Sequence, residues 1–375
     1  MNAVTESDMP VILTPWRKVQ AAMLYHFTSV DYLQGLHAMV KNLISGIADP
    51  LLETARAQDR DRVLVSEVWG ERNTSRNWEN NAWPFLKDLQ VSLAKDIALR
   101  ASGKYRRTAV NESLRGVAEY SMDWATPDEE RILQLAIATI SEYAARYDDS
   151  VDIYQNRWDD YSFAYTYPAF ARLMPRTPKF EVRNEFSADT GEVPPRTGVY
   201  VALDDPHASL QFVWSGSEGI KLRMANTFNE VGRAALSSVG RKSLWFDEER
   251  MFAFATAETN AKFFHDSVYL CDEPYPSLAP SAVARSAFTA KPCRWALVDI
   301  VPNQFEVVNL STEPESAQRA MPSRVASGTR FVEAGYYFAP ATLGSRRFFS
   351  AGETAPGFNS SYGQTFWQWE ENQEK

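Results

Sequence analysis

The spacing of apolar residues changes once along this chain of 375 residues, near Lys179. Before this point, apolar side chains recur every three or four residues, which is the period of an amphipathic helix. After it, short segments alternate apolar and polar residues, which is the period of a β-strand. The change predicts an α+β fold, with a helical domain over residues 1–178 and a mixed α+β domain with a mainly antiparallel sheet over 179–375.

Capping residues predict where the helices of the first half begin. Thr14 precedes a proline and the first apolar stripe, an order typical of a helix start. Thr126 and Glu129 form a capping box before the longest helical pattern. Further helices are expected over 50–69 and 83–100. The buried face predicted for the helix after Thr126 consists of Ile132, Leu135, Ala136, Ile140 and Tyr143.

The second half contains several segments with strand periodicity. They cover residues 179–183, 198–203, 210–214, 294–301, 304–310 and 335–340. Thr227 and Glu230 predict a capping box for an intervening helix that ends before Gly240, and another helix is expected over 246–265. A stretch rich in Pro, Gly and polar residues precedes residue 198, which places the boundary between the two predicted domains near residues 175–195.

The sequence Asp204-Asp205-Pro206-His207 lies between two of the predicted strands. Two carboxylates beside an imidazole can bind a metal or move a proton. Aspartate, however, favours turns because its side chain bonds to the nearby backbone, and proline fixes φ for the bend. We therefore interpret this segment as the turn of a hairpin, with His207 at the surface.

Charge and hydropathy exclude several classes of partner. The net charge is -9, and neither end carries a basic run that would attract a phosphate backbone, so nucleic acid is not an expected partner. No window approaches the roughly 20 apolar residues of a membrane span. Glu6 and Asp8 occupy the place where a secretion signal is basic. We expect a cytoplasmic protein.

Motifs for catalysis and metal binding are missing from the sequence. There is no phosphate-binding loop, nucleophile elbow or HEXXH motif, and His265 and Cys271 are spaced unlike the ligands of a compact zinc site. We therefore predict no metal, no cofactor and no catalytic residue. One alternative stays open: Glu313 and Glu315 resemble the Glu-x-Glu turn of ADP-ribosyltransferase-like folds, which would imply an NAD-dependent enzyme.

Aromatic residues with neighbouring acids suggest a surface for a basic protein. Aromatic anchors contribute most of the energy of many interfaces, and charges at the rim steer association. The alternative for the last of these residues is that Trp367 or Trp369 packs the final strand onto its own domain. The residues predicted to bind a partner are Trp158, Asp159, Asp160, Tyr161, Asp204, Asp205, Trp369 and Glu370.

Two segments resemble a known family. TGVYVALDDPHASLQFVW and ANTFNEVGRAALSSVGRKSLWFDEERMFAF, which lie within residues 197–254, resemble the C-terminal region of bacterial polymorphic-toxin immunity proteins, in the large two-part families numbered seventy-one and seventy-two. The helical first half fits their layout. The resemblance implies a protein that binds and neutralises, without catalysis, a cognate toxin domain of a type VI, contact-dependent or Rhs-type effector that acts in the cytoplasm.

Overall fold

Helices form the first part of the chain, and strands begin at residue 177, close to the predicted change at residue 179. These positions come from a computed structural model, which describes residues 12–154, 158–216, 219–264, 275–310, 325–331, 334–339, 345–357 and 366–369. The helices before the first strand are α1 (Pro15–Phe27), α2 (Val30–Asn42), α3 (Asp49–Ala57), α4 (Ser75–Asn81), α5 (Trp83–Ala101), α6 (Val110–Ala118), α7 (Pro127–Ser150) and α8 (Asp160–Leu173). A π-helical segment (Leu43–Ala48) joins α2 to α3.

The predicted helix starts are confirmed. The Thr14 hydroxyl accepts a hydrogen bond from the Arg17 N–H, and the capping box of Thr126 and Glu129 is complete, with both hydrogen bonds formed. The helix predicted over 83–100 is α5. The helix predicted over 50–69 is wrong beyond Ala57, because Asp59 adopts the left-handed conformation (φ 50°), which ends the helix.

The buried face of α7 differs from the predicted one. Its core side chains include Leu133, Ile140 and Ala144, whereas Ile132 and Leu135 are 51% and 67% exposed. Apolar residues cover a broad part of this helix, so the pattern alone does not decide which stripe meets α2 and α6. Ile140 is buried as predicted, but Ile132 and Leu135 form an apolar strip on the surface.

The strands form a mainly antiparallel sheet, as the sequence predicts. The first sheet has the order β1 (Thr177–Asp189), β6 (Arg294–Glu306), β2 (Gly198–Ala202) and β3 (Gln211–Val213), and the three pairings between neighbouring strands are antiparallel. β4 and β5 pair separately. The elements are β1 (Thr177–Asp189), β2 (Gly198–Ala202), β3 (Gln211–Val213), β4 (Ala225–Phe228), α9 (Glu230–Val239), α10 (Glu248–Thr256), α11 (Ala261–Phe264), α12 (Ala279–Ala287), β5 (Phe288–Lys291) and β6 (Arg294–Glu306). The α+β fold class is therefore confirmed.

Helix α1 packs directly against this sheet. The Tyr25 hydroxyl donates to the Val298 carbonyl at 2.6 Å and accepts from the Val199 N–H at 3.3 Å, and these two residues face each other on adjacent strands. Gly198 leaves room for the ring, because a Cβ there would lie 2.9 Å from the Tyr25 oxygen. Burial raises the pKa of Tyr25, which keeps the phenol protonated and able to donate.

The chain divides into two compact units, one from residues 1–239 and 243–312 and the other from 240–242 and 313–375. The boundary predicted between residues 178 and 179 falls inside the larger unit. Helices and first sheet share one hydrophobic core there, which contains Val19, Leu36 and Val199. Within the described ranges, no helix is long and apolar enough to cross a membrane.

The smaller unit has its own sheet and core. Its strands are β7 (Val325–Ala326), β8 (Gly335–Phe338), β9 (Arg347–Phe349) and β10 (Phe366–Trp369), in the order β7-β10-β8-β9. Trp367 is fully buried against Phe349 and donates to the Pro356 carbonyl at 2.7 Å. The alternative that Trp367 packs the last strand is confirmed. Trp369 lies in β10 without a described side chain, and Glu370 lies outside the described residues.

Helix α9 begins differently from the prediction. Its start is Glu230, and Asn229 caps it by accepting from the Gly232 N–H at 3.1 Å. The predicted capping box is wrong because Thr227 lies in β4, where its hydroxyl donates to Asp205. Gly240 follows the helix with φ 82°, as a left-handed C-cap requires.

Gly232 is the position in α9 where a side chain has no space. A Cβ there would lie 2.4 Å from the Ala287 carbonyl oxygen, so Gly232→Ala should lower the free energy of unfolding by roughly 1–3 kcal/mol. The substitution would otherwise add helix propensity. Chemical denaturation checks the result, with Ser237→Ala on the exposed side of α9 as the control that stays within about 0.5 kcal/mol. An equally stable Gly232→Ala would show that α9 and α12 do not pack this closely.

Candidate functional site

Two of the residues predicted to bind a partner, Asp160 and Asp205, both accept hydrogen bonds from α1. Asp160 begins α8, and Asp205 lies in the connection between β2 and β3. The Trp16 indole donates to Asp160 Oδ1 at 2.7 Å, while the neighbouring Arg17 donates to the Asp205 carbonyl at 2.7 Å. Two acids that are 45 positions apart in the sequence are thus joined through adjacent residues of one helix.

Asp160 is held inside the core by two tryptophans. Its Oδ2 accepts from the Trp245 indole at 2.7 Å, as its Oδ1 does from Trp16. Gln20 adds a longer bond of 3.4 Å to Oδ1. Only 5% of Asp160 is exposed, so the expectation of an exposed acid is wrong. A carboxylate can enter a core when buried donors replace its water.

The residues around Asp160 also belong to the structure of the core. Trp158 is buried, stacks on Phe27 and donates to the Ser150 hydroxyl at 3.0 Å, so its predicted exposure is wrong as well. Asp159 caps α8 by accepting from the Ser162 N–H at 2.7 Å. Tyr161 is half-buried and meets the ring of Trp245 edge-on. The sequence around Asp160 predicted a surface. The donor that lets this carboxylate be buried is the indole of Trp245, 85 positions away, which the local sequence does not show.

The segment Asp204 to His207 forms the predicted turn, since β2 and β3 pair as a hairpin on either side of it. Asp205 Oδ1 accepts from the His207 N–H at 2.9 Å, which is the local bond expected of aspartate in a turn. Asp204 is exposed and accepts from the Arg294 N–H at 3.4 Å. The turn interpretation is confirmed, although His207 is half-buried against Phe228 and burial lowers its pKa.

Asp205 is more than a turn residue, because it is buried and has partners on three elements. The Thr227 hydroxyl donates to Oδ1 at 3.1 Å, and the Lys291 ammonium lies 3.3 Å from Oδ2. Burial by itself raises the pKa of Asp205, but the His207 N–H, the Thr227 hydroxyl and the Lys291 charge hold it below its usual value. The charged carboxylate therefore links Thr227 of β4 and Lys291 of β5 to the β2–β3 hairpin.

The two carboxylates of this network are occupied by donors of the chain itself. The carboxylates of Asp160 and Asp205 already accept two or more hydrogen bonds each. Burial raises the pKa of the nearby Cys293 thiol to about 12, so it is a poor nucleophile. In the part of the chain that the structure describes, no cluster of three His, Cys, Asp or Glu residues can hold a metal. Glu313 and Glu315, the acids of the alternative enzyme hypothesis, lie outside that part.

The surface feature that sequence reasoning missed is an apolar turn over residues 63–70, called here the Trp69 turn. Val68 and Trp69 are 78% and 66% exposed, and Val63 and Val65 are exposed beside them. Ser66 and Gly70 exchange two backbone hydrogen bonds of 3.0 and 2.9 Å, and Gly70 has φ 56°. The apolar residues of this segment predicted a continuation of the helix. In the structure, α3 ends at Ala57 and Asp59 follows in the left-handed conformation.

A cleft of about 930 Å³ lies beside the Trp69 turn. Trp69, Trp78 and Tyr120 contribute aromatic walls, and the guanidinium of Arg72 lies 5.4 Å above the Trp69 ring. Three exposed carboxylates, which are those of Glu119, Asp123 and Glu130, also line it. We call this feature the acidic cleft. Aromatic residues next to acids are the combination that the sequence suggested for a partner surface, but they come from different segments than those predicted.

Comparisons with known proteins assign no family to the chain. No protein-family model matches it, and no match was found among curated proteins or solved structures. The resemblance of residues 197–254 to immunity proteins therefore stays a prediction.

The two indole donors make Asp160 a sensitive test of the buried network. Asp160→Ala leaves the buried N–H groups of Trp16 and Trp245 without their acceptor, and each such loss costs about 1–3 kcal/mol. We expect the free energy of unfolding to fall by roughly 2–4 kcal/mol in chemical denaturation. Asp159→Ala, which removes only a helix cap, should cost roughly 1 kcal/mol. Equal small losses in both variants would contradict the assigned role of Asp160.

Asp205 and His207 of the hairpin turn should respond unequally to substitution. Asp205→Ala removes the acceptor of the Thr227 hydroxyl and His207 N–H and should cost roughly 2 kcal/mol of stability. His207→Ala removes only a half-buried ring and should cost less than about 1 kcal/mol. Thermal or chemical unfolding of the two variants checks the order. A folded His207→Ala protein that has lost its biological function would instead identify His207 as a site residue.

Proposed function

We propose that this protein binds a cognate bacterial toxin domain in the cytoplasm and neutralises it without catalysis. The observation that carries the proposal is the exposed and hydrogen-bonded Trp69 turn. Large apolar side chains that face solvent together mark interaction surfaces, and tryptophan is among the residues that contribute most to binding energy. A turn with Val68 and Trp69 outside the core has the chemistry of an anchor for a protein partner.

The turn is also rigidly attached to the rest of its unit. At its base, Asp61 accepts from the Ser75 N–H at 2.6 Å and from the Ser75 hydroxyl at 2.8 Å. Arg60 pairs with Glu129 of α7 through two hydrogen bonds, and this pairing lowers the pKa of Glu129 to about 2. A loop that is ordered before binding loses less entropy when the partner arrives, which favours a tight complex.

The charge of the protein supports a basic partner. The chain carries a net charge of -9, and the acidic cleft places three carboxylates next to the exposed aromatic anchor. Complementary charge raises the rate of association. An inhibitor that must reach its toxin before the toxin acts benefits from fast association, and it needs slow dissociation to hold it.

The resemblance of residues 197–254 to immunity proteins supports the identity of the partner as a toxin. It does not involve the Trp69 turn, so the two arguments are independent. The segment that resembles the family contains Asp205 and Trp245, which belong to the buried network. Under this proposal, that segment gives the protein its shape, and the surface of the helical part binds the toxin.

The first test is to capture binding partners with the tagged protein from its own host and to measure their stoichiometry. We expect one equimolar partner that kills a naive cell and is silenced when this protein is produced with it. Glu313→Gln with Glu315→Gln should leave protection unchanged. Absence of a toxic partner, together with NAD in the purified protein, would favour the ADP-ribosyltransferase-like enzyme.

The second test assigns the surface. Trp69→Ala should weaken binding of the captured toxin by roughly ten-fold to a thousand-fold, since anchor residues contribute about 2–4 kcal/mol, and should leave the unfolding curve unchanged. Tyr165→Ala removes another exposed aromatic, 73% exposed on α8, and is the matched control. Loss of binding on changing Tyr165, with no effect at Trp69, would move the interface to α8.

A further inference from the structure

We infer that β1 pairs with β1 of a second copy of this chain, antiparallel and centred on Val182, so that the first sheets of two copies join into one. The inference goes beyond the proposed function and does not depend on it. Three features carry it: the unpaired edge of β1, the order of the charges along this strand and the apolar residue at their centre.

β1 is an edge strand of the first sheet, because β6 pairs with it on one side and no strand of the sheet lies on the other. Within the described ranges, no backbone hydrogen bond joins residues 178–188 to an element other than β6. In an antiparallel ladder, successive residues direct their N–H and C=O groups to opposite edges. Alternate residues of β1 therefore present donors and acceptors along its outer edge, which is a template for pairing with another strand.

The other edge of this sheet is less suited to pairing. β3 consists of three buried residues, and the Phe212 carbonyl already accepts from the Arg223 guanidinium at 3.0 Å. β1, in contrast, has 13 residues, and the side chains of Glu181 and Glu185 are 53% and 59% exposed. The longer and more accessible edge is that of β1.

Charges of alternating sign occupy every second position of β1, in the order Lys179, Glu181, Arg183 and Glu185. Residues at this spacing share one face of a strand, and Arg183 lies 3.2 Å from Glu181 and 3.9 Å from Glu185 on that face. Antiparallel pairing centred on Val182 places Lys179 opposite Glu185 of the second copy. It also places Glu181 opposite Arg183 of the second copy, and the two-fold symmetry of the pair repeats both contacts.

The alternation of charge also selects the register. A centre at Glu181 would place this residue opposite itself and Lys179 opposite Arg183 of the second copy. A centre at Arg183 would place that residue opposite itself. Like charges directly opposite each other destabilise a strand pair, whereas opposite charges stabilise it. Of these three registers, only the one centred on Val182 pairs each charge with its opposite.

The opposite face of β1 supports the same centre. Phe180 is buried and stacks on Tyr25 of α1, and Val182, two positions further, is only half-buried. In the proposed pair, Val182 lies opposite its own copy, where two β-branched side chains cover each other's exposed part. An irregularity between Arg183 and Ser187 ends the regular part of the edge, which confines the pairing to the residues around Val182.

The experiment measures the mass of the full chain by analytical ultracentrifugation at about 1 to 100 μM, because the dimer population follows mass action. We expect a dimer at the upper concentrations. Glu181→Arg and Arg183→Glu each place like charges opposite each other in the pair, so each should raise the dissociation constant of the dimer at least about ten-fold. Mixed in equal amounts, the two variants should form a heterodimer, because the basic strand of one then meets the acidic strand of the other.

Two further variants separate an effect on pairing from an effect on folding. Glu181→Arg combined with Arg183→Glu exchanges the two charges and restores opposite signs across the pair, so this double variant should be a dimer. The matched control is Arg131→Glu on α7, which reverses a charge whose side chain is 75% exposed and should leave the dissociation constant unchanged. Chemical denaturation of each variant shows that it is folded.

Amide hydrogen exchange locates the pairing. The amides of residues 179–185 should exchange more slowly in the unmodified protein than in Arg183→Glu, whereas those of β3 at the other edge should exchange equally. The inference is overturned if the unmodified chain is a monomer at every concentration, or if the dimer persists in both single variants. A mixture of the two single variants that stays monomeric would also overturn it.

Discussion

The buried face of α1 is the constraint on which the larger unit depends. Tyr25 hydrogen-bonds to the backbone of two sheet strands, Trp16 bonds to Asp160 of α8, and Arg17 bonds to the β2–β3 turn. Apolar contacts allow a helix to slide or rotate at small cost, whereas each buried polar group must meet one particular partner. The hydrogen bonds of these three residues fix the position of the helix along and around its axis, and through it they join the helices to the sheet.

This arrangement decides which polar residues remain for function. Asp160 and Asp205 have the residue types of a catalytic or metal site, but their oxygens are occupied by donors from distant parts of the chain. Carboxylate oxygens that already accept buried donors have little acceptor capacity left for a ligand. Exposed polar and aromatic groups instead line the acidic cleft and the Trp69 turn of the helical part.

How far the sequence predicts this structure depends on the range of each interaction. The caps at Thr14 and Thr126 and the hairpin turn at Asp205 were predictable, because their hydrogen bonds join residues within four positions. Other failures involve long-range partners. Thr227 has the sequence pattern of a cap residue, but its hydroxyl donates to Asp205. Likewise, α7 has two apolar stripes, and only its neighbours α2 and α6 determine that Leu133 is buried and Leu135 exposed. The surface at Trp69 was missed for a local reason, because the left-handed conformation of Asp59 interrupts the apolar pattern that predicted a helix.

Aromatic and acidic residues lie together both around Asp160 and in the acidic cleft, but their polar groups are satisfied to different degrees. Around Asp160, the indole N–H groups of Trp16 and Trp245 point at the carboxylate, and the polar requirements of all three residues are met within the molecule. In the acidic cleft, Trp78 keeps an N–H without an acceptor and the carboxylates keep their charge. Because buried carboxylates are stabilised when donors replace their water, the cluster around Asp160 contributes to the fold, whereas the acidic cleft keeps its charge exposed to solvent.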